Sequence, residues 1–180
     1  MRITKVTTKT GDSGRTGLAN GERVSKSSIR INAMGSIDKL NSVIGWVINV
    51  VDLRLAKDLE NIQQDLFNLG GELAVPDVEI NLLVNDRLLW LENNIDKIND
   101  EMPPLTEFIL PGGSEECSRI HIARAECRES ERVIVTLSES EAVPEIHKQY
   151  LNRLSDYLFI IARQLKLDQG KNEKSWKYKK

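Results

Sequence analysis

Three arginines recur at every fourth position of the segment HIARAECRESER, which covers residues 121–132. On a helix, this spacing places Arg124, Arg128 and Arg132 in a row along one face, with Glu131 beside them. Apolar residues flank the row closely, and a guanidinium group that loses water needs a carboxylate or a phosphate to offset that loss. The residues alone leave two alternatives open: buried ion pairs, or a binding site for an anion.

A second candidate for anion binding is the glycine-rich segment TTKTGDSGRTGLANGERVSK, residues 7–26. Glycine adopts positive φ without a steric penalty, so this composition suits either a surface hairpin or a backbone whose N–H groups converge on an anion. Its Gly-Asp and Asn-Gly pairs favour the hairpin. The glycine spacing matches neither the P-loop nor the dinucleotide-binding fingerprint.

The chain has two histidines and two cysteines, and none of them forms a nucleophile with its base. Cys117 and Cys127 lie in one segment, at a spacing that fits neither a disulfide framework nor a zinc site. We interpret these cysteines, His121 and His147 as structural residues. This cysteine usage indicates a reducing compartment, and we expect a cytoplasmic protein.

Apolar residues at helical spacing position these polar groups. Five amphipathic patterns with a period of about 3.6 residues follow one another, separated by proline and glycine breakers. The sequence therefore predicts an all-α fold, a five-helix bundle with an irregular glycine-rich amino-terminal arm. We place the arm at residues 1–27, the bundle at 28–168 and a basic, mobile tail at 169–180, all within one domain.

Composition and charge exclude several classes of protein. The chain has 180 residues, of which 40% are hydrophobic and 29% are charged, as is typical of a globular domain. Its net charge of −2 gives no support for a nucleic-acid partner. No apolar run approaches the ~20 residues of a membrane-spanning helix. We therefore expect neither nucleic acid nor a membrane as a partner.

Four blocks of the sequence, in order, resemble the PduO-type ATP:cob(I)alamin adenosyltransferases. The arm, with its TKTGDSGRTGL and GERVSK runs, resembles the nucleotide segment of that family. The run AMGSIDKLNSVIG resembles its first-helix pattern, and FILPGGS matches the loop before its fourth helix. The runs HIARAECRESER and YLNRLSDYLFIIAR resemble its last two helices. Together the blocks extend over nearly the whole chain, and they imply a cobalamin adenosyltransferase-like bundle.

The resemblance implies that the arm contacts ATP, with Mg²⁺ bound mainly through the ATP phosphates. The implied contacts in the arm are Thr8, Lys9, Thr10, Gly11, Thr16, Gly17 and Lys26. A neighbouring subunit completes the site, because the family forms homotrimers with active sites at subunit interfaces. The implied contacts from that neighbour are Arg128, Glu131, Arg132 and Asn152.

The resemblance also assigns a corrinoid side to the site. Asp38 and Arg124 match an ion pair of the family that helps to order this side. Phe108 matches the aromatic residue that displaces the lower axial base of the corrinoid. The implied catalytic residues are therefore Arg128, Phe108, Asp38 and Arg124.

Three residues depart from the family pattern. Glu129 replaces an arginine, Ser130 replaces an alanine, and Lys39 stands where glutamate is usual. If the fourth helix keeps its register, the carboxylate of Glu129 lies near the triphosphate and opposes its binding. We therefore expect Glu129→Arg to tighten ATP binding.

The implied reaction transfers the 5′-deoxyadenosyl group of ATP to cob(I)alamin and releases triphosphate. Cobalt(I) is itself a strong nucleophile, so the absence of an activated side chain is consistent with this reaction. Two alternatives remain open. One is a trimer that binds nucleotide without catalysis, which the departure at Glu129 favours. The other is a helical bundle without a ligand.

Overall fold

Five helices follow a short amino-terminal hairpin, as the sequence predicts. The computed structural model describes residues 7–76 and 78–178. The hairpin consists of β1 (Arg15–Gly17) and β2 (Arg23–Ser25). The helices are α1 (Ile29–Ile48), α2 (Leu53–Leu73), α3 (Asn85–Asp100), α4 (Glu115–Ser138) and α5 (Glu145–Asp168). In this described part of the chain, no helix combines the length and apolarity needed to cross a membrane.

Side-chain caps set the start of three helices. The hydroxyl of Ser28 accepts a hydrogen bond from the backbone N–H of Ile31 at the start of α1. Asp52 caps α2, and Ser114 caps α4 in the same way. These caps satisfy backbone donors that have no partner within the first helical turn. The start of α4 follows directly from the Gly112-Gly113 pair, whose φ angles of 122° and 121° suit glycine.

The core lies between α1, α2, α4 and α5, and α3 packs against α5 at the edge of the bundle. Each helix contributes a stripe of apolar residues at helical spacing, and the stripes of α1 and α4 are fully buried. The residues of these two stripes are Ala33, Ile37, Leu40, Ile44, Val47, Ile120, Ala123, Cys127, Ile134 and Leu137. Because α4 buries this face, its arginines are directed away from the core.

A buried carboxylate ties α2, α3 and α5 together. Asp65 on α2 accepts two hydrogen bonds from Nε of Arg87 on α3, at 2.9 and 2.8 Å. It also accepts one from the hydroxyl of Tyr150 on α5 at 2.6 Å. Burial raises the pKa of Tyr150 well above its usual range, so this residue stays a hydrogen-bond donor. The network fixes α3 on the bundle.

The arm folds as the hairpin that its turn residues favour. β1 and β2 pair antiparallel, with Thr16 opposite Val24. Gly14 and Gly21 adopt φ angles of 78° and 87°, which L-residues with a side chain rarely tolerate. The backbone N–H of Ala19 donates to the carbonyl of Ala74 at 2.9 Å, which anchors the hairpin at the end of α2.

The carboxyl-terminal residues that the sequence assigns to a mobile tail make defined contacts. The backbone N–H of Leu110 donates to the carbonyl of Lys174 at 2.8 Å, and the N–H of Trp176 donates to the carbonyl of Phe108 at 2.7 Å. Ile109 and Ser175 form an antiparallel bridge between these two bonds. Residues 174–176 therefore lie along the loop that precedes α4.

Removing Asp65 should cost far more stability than removing the hydroxyl that binds it. Asp65→Ala leaves the half-buried guanidinium of Arg87 and the hydroxyl of Tyr150 without partners, and we expect a loss of about 3–5 kcal/mol. Tyr150→Phe leaves the Asp65–Arg87 pair in place and should cost about 1 kcal/mol. Urea unfolding at one fixed protomer concentration measures both losses. Equal losses would show that the ion pair contributes nothing beyond the tyrosine hydroxyl.

Candidate functional site

The arginine row of α4 forms one wall of an open pocket between α4 and α5. Arg128 and Arg132 are both exposed, and their side chains line a pocket of about 400 Å³. The other lining residues are Glu131, Val135, Thr136 and Asn152. The structure therefore brings together the four residues of the bundle that the sequence assigns to ATP.

Hydrogen bonds hold the carboxylate of Glu131 and the amide of Asn152 in place. Asn152 donates from Nδ2 to Oε1 of Glu131 at 3.0 Å, and its Oδ1 accepts from Arg153 at 2.6 Å. Arg153 in turn donates to Glu92 on α3 at 3.0 Å. Glu131 is thus turned toward α5 and away from the arginine row.

The guanidinium groups of Arg128 and Arg132 form no ion pair within the described part of the chain. The ion pairs of α4 instead involve Glu126 and Glu129, which contact Lys39, and Arg119, which contacts Glu115. The sequence left two alternatives open for the arginine row, buried ion pairs or an anion-binding site. Arg128 and Arg132 do not form buried ion pairs in the described part of the chain. Two exposed guanidinium groups beside a fixed amide can bind an anion with several negatively charged oxygens.

Arg124 differs from the other two members of the row because it is half-buried. Its Nε atom is buried without a hydrogen-bond partner among the described residues. Burial, and then the positive charge of Arg128, lower the pKa of the Arg124 guanidinium. A carboxylate from another molecule would stabilise this charged guanidinium by offsetting its loss of water.

Asp38, the implied partner of Arg124, lies on α1 beside an exposed apolar surface. It lines a pocket of about 250 Å³ together with Met34 and Phe67, and the Phe67 side chain is 68% exposed. Asp38 itself is exposed, and no ion pair joins it to Arg124 in the described chain. Within one subunit, the two residues are available for partners on another molecule.

The arm residues assigned to ATP form a second group, separate from the pocket on α4. The backbone N–H of Lys26 donates to the carbonyl of Gly14 at 2.9 Å, and the Lys26 ammonium lies over Gly11. A Cβ atom at Gly11 would come within 2.9 Å of Lys26 Nζ, so a larger residue would displace the end of the Lys26 side chain. Arg23 donates to the carbonyl of Thr10 at 2.7 Å, which fixes the preceding turn.

The remaining arm residues of the prediction lie in the same turn and hairpin. They are Thr8, Lys9, Thr16 and Gly17, and Lys9 has a φ of 59°. None of the arm residues lines the pocket that contains Arg128. One chain therefore carries two separate half-sites, a basic turn at the arm and an arginine pocket on the bundle.

Phe108 lies on the loop before α4, and its side chain is 76% exposed. The indole of Trp176 meets it edge-on, with ring centroids 6.3 Å apart and an interplanar angle of 69°. The sequence interpretation missed Trp176, because the tail was judged by its basic charge alone. Its aromatic residues, Trp176 and Tyr178, were the signal that could have identified this contact.

The structure gives Glu129 a different position from the one expected. Its carboxylate lies 3.7 Å from the ammonium of Lys39, which also contacts Glu126 at 2.6 Å. The hydrogen bond to Glu126 raises the pKa of Lys39. Successive residues of a helix point about 100° apart, so Glu129 faces α1 while Arg128 faces the pocket. Two of the three departures, Lys39 and Glu129, thus lie within ion-pair distance of each other, and Lys39 also pairs with Glu126.

Lys39→Glu alone should weaken the contact between α1 and α4, and adding Glu129→Arg should restore it. Lys39→Glu would place three carboxylates together, whereas Glu129→Arg leaves the Lys39–Glu126 pair and adds a cation that Glu126 also attracts. We expect a lower Tm for Lys39→Glu, little change for Glu129→Arg alone, and recovery in the double variant. The differences should shrink in high salt because these groups are exposed.

Thermal unfolding of the four proteins at low and high salt measures this coupling as a double-mutant cycle. Lys57→Glu is the matched control, since Lys57 is exposed on α2 and contacts only Glu60 among the described residues. Strictly additive effects of the two reversals would contradict the pairing.

Comparison with known proteins is consistent with this geometry. A family model described as cobalamin adenosyltransferase matches residues 6–165. A cobalamin adenosyltransferase of Cupriavidus metallidurans is 45% identical over 177 residues, covering 97% of this chain and 95% of that protein. A corrinoid adenosyltransferase of Bacillus subtilis is 44% identical over 165 residues, covering 88% of this chain and 85% of that protein.

Solved structures extend the similarity to the fold. A variant of a PduO-type ATP:corrinoid adenosyltransferase from Lactobacillus reuteri, complexed with cobalamin and ATP, superposes with a TM-score of 0.93. It is 32% identical, over 97% of this chain and 100% of that chain. Another variant from that organism, complexed with ATP, gives a TM-score of 0.87 at 33% identity, over 96% and 100% of the two chains. The chain belongs to the cobalamin adenosyltransferase family.

Proposed function

We propose that this protein transfers the 5′-deoxyadenosyl group of ATP to cob(I)alamin, giving adenosylcobalamin and triphosphate. The observation that carries the proposal is the pair of exposed guanidinium groups of Arg128 and Arg132 beside the fixed amide of Asn152. Neither group has a carboxylate partner among residues 7–76 and 78–178. This arrangement suits a polyphosphate. The named activities of the relatives and the ligands of the structural neighbours support the same assignment.

In the proposed reaction, the electron pair of cobalt(I) attacks the 5′ carbon of ATP. A Co–C bond forms, the C5′–O bond breaks, and its electrons leave on triphosphate. The protein then needs no nucleophile of its own, only orientation of the two substrates and stabilisation of the departing charge. Arg128 and Arg132 provide that stabilisation, because guanidinium groups bind phosphate oxygens in a bidentate geometry.

The arm supplies the second set of phosphate contacts in this proposal. The Lys26 ammonium, which lies beside Gly11, adds a point charge, and backbone N–H groups of this glycine-containing turn can also bind phosphate oxygens. In the described part of the chain, no group of three or more His, Cys, Asp or Glu residues is placed to hold a metal ion. We propose that Mg²⁺ enters with ATP, bound mainly by its phosphates.

We propose that Phe108, Asp38 and Arg124 serve the corrinoid side. The ring of Phe108 is exposed, so it can fill the space below the cobalt and displace the lower axial base. Four-coordinate cobalt is easier to reduce to cobalt(I) than cobalt with an axial ligand. Cobalt(I) persists only under reducing conditions, which agrees with a cytoplasmic protein whose Cys117 and Cys127 are free thiols.

We propose a homotrimer in which each active site joins the arm of one subunit to α4 and α5 of the next. Three observations support it: the two half-sites of one chain are separate, Phe67 is an exposed apolar residue, and the Nε atom of Arg124 is buried without a partner. A heterologous contact that closes into a ring would place Asp38 of one subunit at Arg124 of another.

Arg128→Ala should remove a contact that strengthens as charge builds on the leaving triphosphate. We expect kcat/KM to fall roughly 30- to 1,000-fold, corresponding to about 2–4 kcal/mol of transition-state stabilisation. The measurement is turnover with ATP and chemically reduced cobalamin, together with triphosphate release. Arg54→Ala, which removes an exposed arginine of α2, is the matched control. A correctly folded Arg128→Ala protein with wild-type activity would show that the row has another role.

The same assay separates catalysis from simple nucleotide binding. A wild-type protein that binds ATP but makes no adenosylcobalamin would be a nucleotide-binding module. The charge of Glu129 supports that alternative less, because its carboxylate lies 3.7 Å from the ammonium of Lys39 on α1. We therefore now expect Glu129→Gln to change ATP affinity little.

Two variants that are each inactive should restore activity to one another if the site is shared. Lys26→Ala impairs the arm and Arg128→Ala impairs the pocket, so mixed trimers contain junctions in which both halves are wild type. Roughly one junction in four should be intact after random assembly of equal amounts. Co-expressed, differently tagged subunits are purified together and assayed against each variant alone.

Two results would contradict the shared site. One is a mixed assembly no more active than its parents, although both variants bind each other. The other is a monomer, established by light scattering, that turns over at the full rate. Loss of activity on dilution below the dissociation constant of the assembly would agree with the proposal.

A further inference from the structure

We propose that Trp176, in the carboxyl-terminal segment 171–178, is the positioning residue for Phe108. The inference rests on the proposed function, in which Phe108 displaces the lower base of the corrinoid. It assigns a role in the chemistry to a segment whose sequence indicated only a basic tail.

A buried ion pair anchors the segment to the bundle. Arg163 on α5 is 4% exposed, and it donates from Nε and Nη2 to the two carboxylate oxygens of Glu173 at 2.9 and 3.1 Å. Its Nη2 also donates to the carbonyl of Pro103 at 3.1 Å. A bidentate pair at a buried arginine holds its carboxylate far more firmly than an exposed ion pair does. The segment therefore begins from a fixed point beside the loop that joins α3 to α4.

Backbone hydrogen bonds then lay the segment along that loop. The bonds from Leu110 to Lys174 and from Trp176 to Phe108 bracket the bridge between Ile109 and Ser175. At its other end, the loop is held by Lys166, whose ammonium donates to the carbonyl of Gly112 at 3.3 Å. The backbone of Phe108 is thus held by the segment, while its side chain remains free to meet a ligand.

Aromatic contacts limit the orientations that the Phe108 side chain can adopt. The edge-on contact with Trp176 closes one side of the Phe108 ring, and Tyr178 packs against Trp176 in a tilted arrangement, with ring centroids 5.5 Å apart. The three side chains are 76%, 51% and 69% exposed, in the order Phe108, Trp176 and Tyr178. They line an open cavity of about 820 Å³. Such an exposed aromatic wall suits the apolar underside of a large planar ligand.

This arrangement predicts a defect that depends on the lower base of the corrinoid. Without Trp176, the Phe108 ring can swing away, and the base of cobalamin can stay on the cobalt. Cobinamide lacks that base, so its adenosylation depends less on the position of Phe108. ATP binds at the other half of the site and should be unaffected. A general loss of folding would instead lower cobalamin turnover, cobinamide turnover and ATP affinity together.

The experiment compares Trp176→Ala with Trp176→Phe, which keeps an aromatic edge, and with Asn172→Ala as the matched control. Asn172 is exposed and lies in the same segment. The substrate is cob(II)alamin with a mild one-electron reductant that reduces only four-coordinate cobalt(II), because cob(I)alamin has already lost its lower base. For Trp176→Ala, we expect kcat in this assay to fall about 10- to 100-fold, as a displacement of a catalytic group by about 1 Å can cause. Electron paramagnetic resonance of cob(II)alamin with ATP should show a smaller four-coordinate fraction. Cobinamide turnover and the Kd of ATP should stay near wild type, and Trp176→Phe should recover most of the loss.

Phe108→Ala distinguishes failure of the inference from failure of the proposed function. If Phe108→Ala turns over cobalamin normally, the proposed role of Phe108 is wrong, and the inference falls with it. If Phe108→Ala is impaired but Trp176→Ala is not, only the inference is overturned. Equal losses with cobalamin and cobinamide in Trp176→Ala would also overturn it, since they would indicate a structural defect rather than a misplaced ring.

Discussion

The site depends on two arginines whose positive charge has no carboxylate partner in the part of the chain that the structure describes. Arg128 and Arg132 lie on a helix that also carries Glu129 and Glu131, yet neither carboxylate neutralises them. Glu131 is held by Asn152 on α5, and Glu129 is held by Lys39 on α1. Because both carboxylates are committed to neighbouring helices, the positive charge remains available to an incoming anion.

The face of α4 opposite the two arginines is fully buried, and this face anchors the helix in the bundle. Residues such as Ala123, Cys127 and Ile134 have no exposed surface, and they seal α4 against α1 and α5. The arginines then lie at the rim of the bundle, where water still solvates them when no ligand is bound. This placement avoids the desolvation cost of a buried, unpaired cation. Of the three arginines in the row, Arg124 is half-buried and loses part of its hydration. The proposed subunit contact would offset this loss.

Two chain segments outside the five helices dock on the bundle at different places. The hairpin arm docks on the end of α2 through Ala74, and the carboxyl-terminal segment docks on α5 through the Arg163–Glu173 pair. Neither segment has enough apolar residues to fold alone, so each depends on the bundle for its shape. In the proposed reaction, the first handles ATP and the second handles the corrinoid. The bundle sets the distance between them.

The sequence by itself determined the five helices, the hairpin and the row on α4, because periodicity, capping and turn chemistry are local properties of the chain. It also determined the family, since four blocks in order carry more information than any one motif. It could not show that Lys39 faces Glu129 or that Trp176 meets Phe108. Each of these contacts joins residues far apart in the chain, and only the packing of helices and loops brings them together. The environment of Glu129 is therefore set by Lys39 on α1 as well as by its neighbour Arg128.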